Sequence, residues 1–238
     1  MPRLFSTGAV FLGCPVSNLT AGDLMRASKT LPISYKKART LDITKDSRLM
    51  VVMILGGFIL LAGAGLLFFR AVFWLRPADS LASIELFSFR SIVDLGIFVA
   101  ALVGLTAAYI VLHEAVHGAF FWIFTGARPR FAVYWTHAYA AAPEWYIPRI
   151  PFLITTLAPL VLISLAGLFV LRYAPQSWLL PTWYILTMNV SGAIGDLLVA
   201  YLLLRMPPTG LVQDCGDVIT FYVPVESSQK GEEITANP

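Results

Sequence analysis

Residues 95–122 read LGIFVAALVGLTAAYIVLHEAVHGAFFW. The first eighteen carry no charge, close to the ~20 apolar residues a helix needs to cross a bilayer. The same run then holds His113, Glu114 and His117, in surroundings where ionisable groups are costly and usually mark function. An apolar helix ending in a polar cluster is therefore the element around which the rest must be arranged.

The remainder of the chain agrees with a membrane setting. Of 238 residues, 58% are hydrophobic and 13% charged, against about 25% charged in soluble domains. The motif-bearing helix extends over about 91–125, and three further stretches of spanning length lie at 49–69, 150–171 and 178–204, the last with Asp196 as its one charge. The expected class is an all-α integral membrane protein with about four transmembrane helices. The divisions are a basic segment 1–48, a membrane domain 49–206 and a short tail 207–238.

Charge placement sets the expected orientation. Residues 1–48 hold eight Lys/Arg against three acids, so this segment should remain in the cytoplasm. Four crossings return the C-terminus to the same side, together with the loop bearing Arg128, Arg130 and Arg149. Arg70, Arg76 and Arg90 fall outside and weaken the bias. The lipid bilayer is the expected partner, and no nucleic-acid partner is expected.

Loop 128–149 is too apolar for an ordinary linker. Phe131, Val133, Trp135 and His137 alternate with Ala132, Tyr134, Thr136 and Ala138, a period of two that predicts a β-hairpin-like element between helices two and three. An interfacial aromatic belt accounts for the same residues. The tail LVQDCGDVITFYVPV (211–225) reads as one short strand after a turn. Cys14 and Cys215 are far apart without a CxxC spacing and read as incidental thiols. Pro159 and Pro175 are expected to kink or end helix three without taking part in chemistry.

His113 and His117 stand four residues apart, so both rings project from one helix face and two nitrogens can bind one Zn2+, with Glu114 beside them to act on water. With three His and six Glu in the chain, HExxH would arise by chance in roughly one chain per thousand, so the motif outweighs a coincidence. A catalytic zinc site needs a third protein ligand. The metzincin pattern is excluded, because its glycine and third histidine would fall at Phe120 and Ile123. The candidates are Asp196, favoured by depth, His137 and Glu144. At ~1.5 Å per residue, His117 and Asp196 both lie roughly 12–14 Å from the cytoplasmic ends of their helices. Asn189, Gly192, Ala193 and Asp196 share a stripe whose small residues admit a close neighbour. Zn2+ with ionised Glu114 and Asp196 sums to zero charge. Asp214 and Asp217 would reach such a site only if the tail folded under it, which is not expected.

HEAVH at the end of one helix and NVSGAIGD in a later one resemble a family of bacterial and archaeal membrane proteins regarded as zincin metallopeptidases. More distantly they are similar to site-2 proteases. The resemblance implies His113, His117 and Asp196 as zinc ligands, Glu114 as catalytic acid/base, and Asn189 as a catalytic residue near the substrate, donating a hydrogen bond to the oxyanion. It also implies a protein or peptide substrate in or near a prokaryotic cytoplasmic membrane. The segment here is AIGDLL where site-2 proteases usually show an LDG around the aspartate. Two other readings share the residues: a metal-ion or proton translocator using them as a path, and an adaptor with a relic metal site. Glu114 separates the three, since only a peptidase loses turnover of a peptide bond when it is replaced.

Overall fold

The computed structural model describes residues 26–42, 45–77, 91–134 and 138–225. Strand β1 (Tyr35–Asp42) precedes helices α1 (Ser47–Leu75) and α2 (Ile92–Thr125). Strands β2 (Arg130–Val133), β3 (Ala138–Ala141) and β4 (Ile147–Pro148) lead into α3 (Arg149–Tyr173). Helices α4 (Leu179–Gly192) and α5 (Ile194–Leu204) follow, and strands β5 (Leu211–Asp214) and β6 (Val218–Pro224) end the described chain.

The helix ends follow from local chemistry. The Asp46 carboxylate accepts the Arg48 and Leu49 N–H groups at 3.0 and 3.1 Å, and Ser91 Oγ accepts Asp94 N–H at 3.1 Å, satisfying donors that a helix start leaves unpaired. Helix α2 stops at Gly126, whose left-handed φ of 68° closes the last turn. Among the described residues three helices, α1, α2 and α3, are long and apolar enough to cross a membrane. A fourth span results if α4 and α5 are counted as one.

That pair departs from the single straight helix expected over 178–204, because it bends by 44° between Gly192 and Ile194. Gly192 and Gly195 flank the break, and glycine is the weakest helix former after proline. The break has a local consequence. Asp196 falls in the first turn of α5, where the partial positive charge of a helix start favours a carboxylate.

The strands go beyond the one expected hairpin. β2 and β3 form that hairpin, with Arg130 opposite Ala141 and Val133 opposite Ala138. A second, four-stranded antiparallel sheet has the order β1-β6-β5-β4. The tail is thus two strands rather than one, turning at Gly216 with φ 89°, and part of the basic N-terminal segment pairs with it. The all-α expectation is corrected to a mostly helical fold with antiparallel strands.

Two apolar cores occupy opposite ends of the bundle. At one end Phe121, Phe152 and Leu203 of α2, α3 and α5 pack on Leu41, Ile147, Val212 and Phe221 of the sheet. Burying a Phe or Leu side chain from water is worth about 1.5–3 kcal/mol. At the other end Phe68, Leu171, Leu179 and Leu186 join α1, α3 and α4. Between these apolar helices, close approach with polar ties adds to the packing. Trp183 Nε1–H donates to the Gly65 carbonyl and Ser191 Oγ–H to the Gly57 carbonyl, both at 2.9 Å.

Candidate metal centre

Helix α2 presents Tyr109, His113 and His117 on one buried stripe, and α5 brings Asp196 against it. His113 Nε2 lies 3.1 Å from Asp196 Oδ2, and His117 Nε2 lies 3.4 Å from Asp196 Oδ1. One ligand atom from each residue falls within 4.8 Å of the others. Among the described residues this is the group of His, Cys, Asp and Glu side chains arranged to hold a metal ion. The close approach depends on Gly192, because a Cβ there would collide with the Tyr109 hydroxyl. Gly192→Ala is expected to cost about 1–3 kcal/mol of stability, as overpacking does. Thermal unfolding in detergent, compared with wild type, checks it.

The far nitrogen of each ring is also engaged. His117 Nδ1 lies 2.9 Å from the Thr155 carbonyl, which can only accept, so Nδ1 carries the proton. His113 Nδ1 lies 3.4 Å from Asn189 Oδ1 and 3.4 Å from the Tyr109 hydroxyl. The Asn189 amide nitrogen faces the Leu160 carbonyl and Ser164 Oγ at 3.2 Å and the Pro159 carbonyl at 3.4 Å. Those carbonyls accept only, which assigns the amide's donor end to α3 and its oxygen to His113. Neutral rings held this way aim two Nε2 lone pairs at a carboxylate. The arrangement is repulsive unless a cation, or a proton on each ring, lies between them. A His2Asp donor set suits Zn2+, with a further position left open for water. The residues present therefore fit the metal.

Glu114 stands beside the ligands. Its Oε2 accepts the Ala140 N–H of β3 at 2.7 Å, so the hairpin holds the carboxylate in place. Glu114, His113, His117 and Asp196 share a cavity of about 260 Å3 with Thr155, Thr156 and Ala138–Ala140. Ring carbons of Phe131 come so close to Gly118 that a Cβ there would strike them. That seat brings β2, and with it β3, onto α2 next to the motif.

Several expectations change at this site. Asn189 does not line the cavity. It is fully buried behind His113, with its N–H donors directed to α3. Glu144 is exposed and pairs with Arg130 and Lys29, which removes it from the candidate ligands. His137 lies outside the described residues. The tail does fold under the site: Asp214, Gly216 and Asp217 line the same cavity, contrary to expectation, because β5 and β6 belong to a sheet that packs on the helix ends. Tyr109 and the Thr155 and Ala140 backbone groups were not anticipated. The 109, 113, 117 spacing would have flagged Tyr109.

Burial pushes the Asp214 carboxyl up to about 7, against the Gly216 N–H that it accepts at 2.7 Å. The unfolded chain has an ordinary carboxyl near 3.9. Between these values the folded form holds a proton that the unfolded form has lost, so Asp214 should lower stability as pH rises from about 4 to about 7. Asp214→Asn is expected to be neutral at pH ~4 and stabilising above pH ~7, by up to about 4 kcal/mol. Unfolding midpoints across that pH range check the sign.

Residues 106–211 match the family described as "Putative zincin peptidase". The span is a little under half the chain and contains His113, Glu114, His117, Asn189 and Asp196. The expected likeness to zincin metallopeptidases is thereby shown over that span, and such a family implies zinc and a peptidase. No curated protein and no solved structure matches the chain.

Proposed function

We propose that this chain is a membrane-embedded zinc metallopeptidase that hydrolyses peptide bonds of protein substrates in or next to the bilayer. The observation that carries the reading is the convergence of His113, His117 and Asp196 with Glu114 in one cavity wall. His113, His117 and Asp196 hold the ion. When bound, zinc supplies a positive charge that acidifies water and polarises a carbonyl. Glu114, oriented by the Ala140 N–H, takes a proton from the attacking water and returns it to the leaving amine. Tyr109 and Asn189 act from behind, fixing His113.

The apolar helices and sheet-capped site support a setting in which the site opens toward one membrane face. With the basic N-terminal segment inside, that face is cytoplasmic, and the membrane is the prokaryotic cytoplasmic membrane. A substrate segment must be extended to be cut, and β3 offers the hairpin edge nearest the catalytic carboxylate, where it can be received as an added strand.

The test is proteolysis by detergent-purified, zinc-loaded protein of a mixed set of membrane and membrane-proximal peptides, with products read by mass spectrometry. Cleavage that chelation abolishes and zinc restores is the expected result. A wild-type protein that binds no zinc, or a zinc-loaded one that transports ions but cuts nothing, would overturn the reading.

A further inference from the structure

Helix α3 carries Pro159 in its interior, four residues after Thr155. In an α-helix the N–H of residue 159 would bond the carbonyl of residue 155. Proline has no N–H, so the Thr155 carbonyl is left without its helical donor. The position is buried, and a buried carbonyl without a partner is costly. The Thr155 hydroxyl does not interfere, since it donates to the Pro151 carbonyl at 2.9 Å. The group that meets the free carbonyl is His117 Nδ1, at 2.9 Å.

We infer that Pro159 is a positioning residue for the metal centre: by deleting one helix N–H it frees the Thr155 carbonyl to hold the Nδ1 proton of His117. The inference rests on the metal reading above and adds a backbone device to it. A neutral imidazole has one N–H. A carbonyl fixes that proton on Nδ1, which leaves the Nε2 lone pair facing Asp196 Oδ1. The same carbonyl fixes the ring plane. Groups that hold the far nitrogen of a metal-bound histidine typically change metal affinity about 10–100-fold when removed. A carbonyl already committed to a helix N–H would serve this purpose poorly. Pro159 also sits where α3 meets α4, since its own carbonyl faces the Asn189 amide at 3.4 Å. The one proline position thus serves both histidines, His117 directly through the Thr155 carbonyl and His113 through Asn189.

The test uses the full chain in detergent and the variant Pro159→Ala, which restores the N–H. Imidazole 15N shifts of metal-free protein, followed to a pH at which the His117 ring is neutral, report which of its nitrogens keeps the proton. Chelator competition reports the zinc dissociation constant. Expected are Nδ1–H at His117 in wild type, loss of that single tautomer in Pro159→Ala, and zinc binding weaker by about 10–100-fold. The metal-free unfolding midpoint should be unchanged or higher, because alanine favours a helix interior. Nε2–H at His117 in the wild type overturns the inference without any variant. So does Pro159→Ala with wild-type tautomer and zinc affinity, or with zinc and stability lost together, which would mark a packing role. Should the wild type bind no zinc, the peptidase reading fails, while the tautomer comparison still decides the role of Pro159.

Discussion

Glu114→Gln is expected to leave about one zinc per chain in place and to lower peptide hydrolysis by about 10²–10⁴-fold, the usual range for a positioned acid/base group. The glutamine keeps the shape and still offers an oxygen to the Ala140 N–H, so the hairpin should stay seated. What it lacks is the capacity to take a proton. Zinc content by elemental analysis and cleavage rate by mass spectrometry check the two halves separately. Retained zinc with retained cleavage would remove Glu114 from the chemistry. Zinc lost together with cleavage would make Glu114 part of the ligand set, which its separate hydrogen bond to β3 argues against.

Asp196→Ala is expected to abolish stoichiometric zinc. Removing a group that merely holds a ligand weakens metal binding about 10–100-fold, so removing a ligand should exceed ~100-fold. Asp196 faces both Nε2 atoms, and its loss leaves two imidazoles without a third donor beside them. His117→Ala should behave alike, whereas Glu144→Ala, at an exposed ion pair, should bind zinc as the wild type does. Zinc retained at full stoichiometry in Asp196→Ala would mean that another side chain supplies the third donor.

The legible and hidden parts of this protein divide along a physical line. Apolar runs of spanning length were readable because bilayer thickness imposes a length on each helix separately. HEAVH was readable because four residues of helix bring two side chains to one face, whatever the rest of the chain does. Asp196 was readable because it is the charge of an otherwise uncharged run at a depth matching His117. The family match over 106–211 adds weight to these local signals.

Other features depend on contacts distant in sequence. β1 pairs with β6 across nearly the whole chain, and no turn between them announces it, so neither the four-stranded sheet nor the arrival of Asp214 at the cavity could be read in advance. Asn189 was placed on the correct stripe, but which side of His113 it occupies depends on how α3 packs against α4. Pro159 was visible as a proline within an apolar run, expected to kink or end the helix. Its meaning came only when α2 brought a ring nitrogen to the carbonyl it frees. The sequence by itself determined the helices, the motif and the residue types that meet at the candidate metal centre, because each follows from local periodicity and the cost of charge in an apolar run. The tertiary structure alone decided what holds each histidine's second nitrogen, what orients Glu114 and what lines the rest of the cavity. Those are backbone carbonyls, N–H groups and strand pairings, and every residue carries the same ones whatever its side chain.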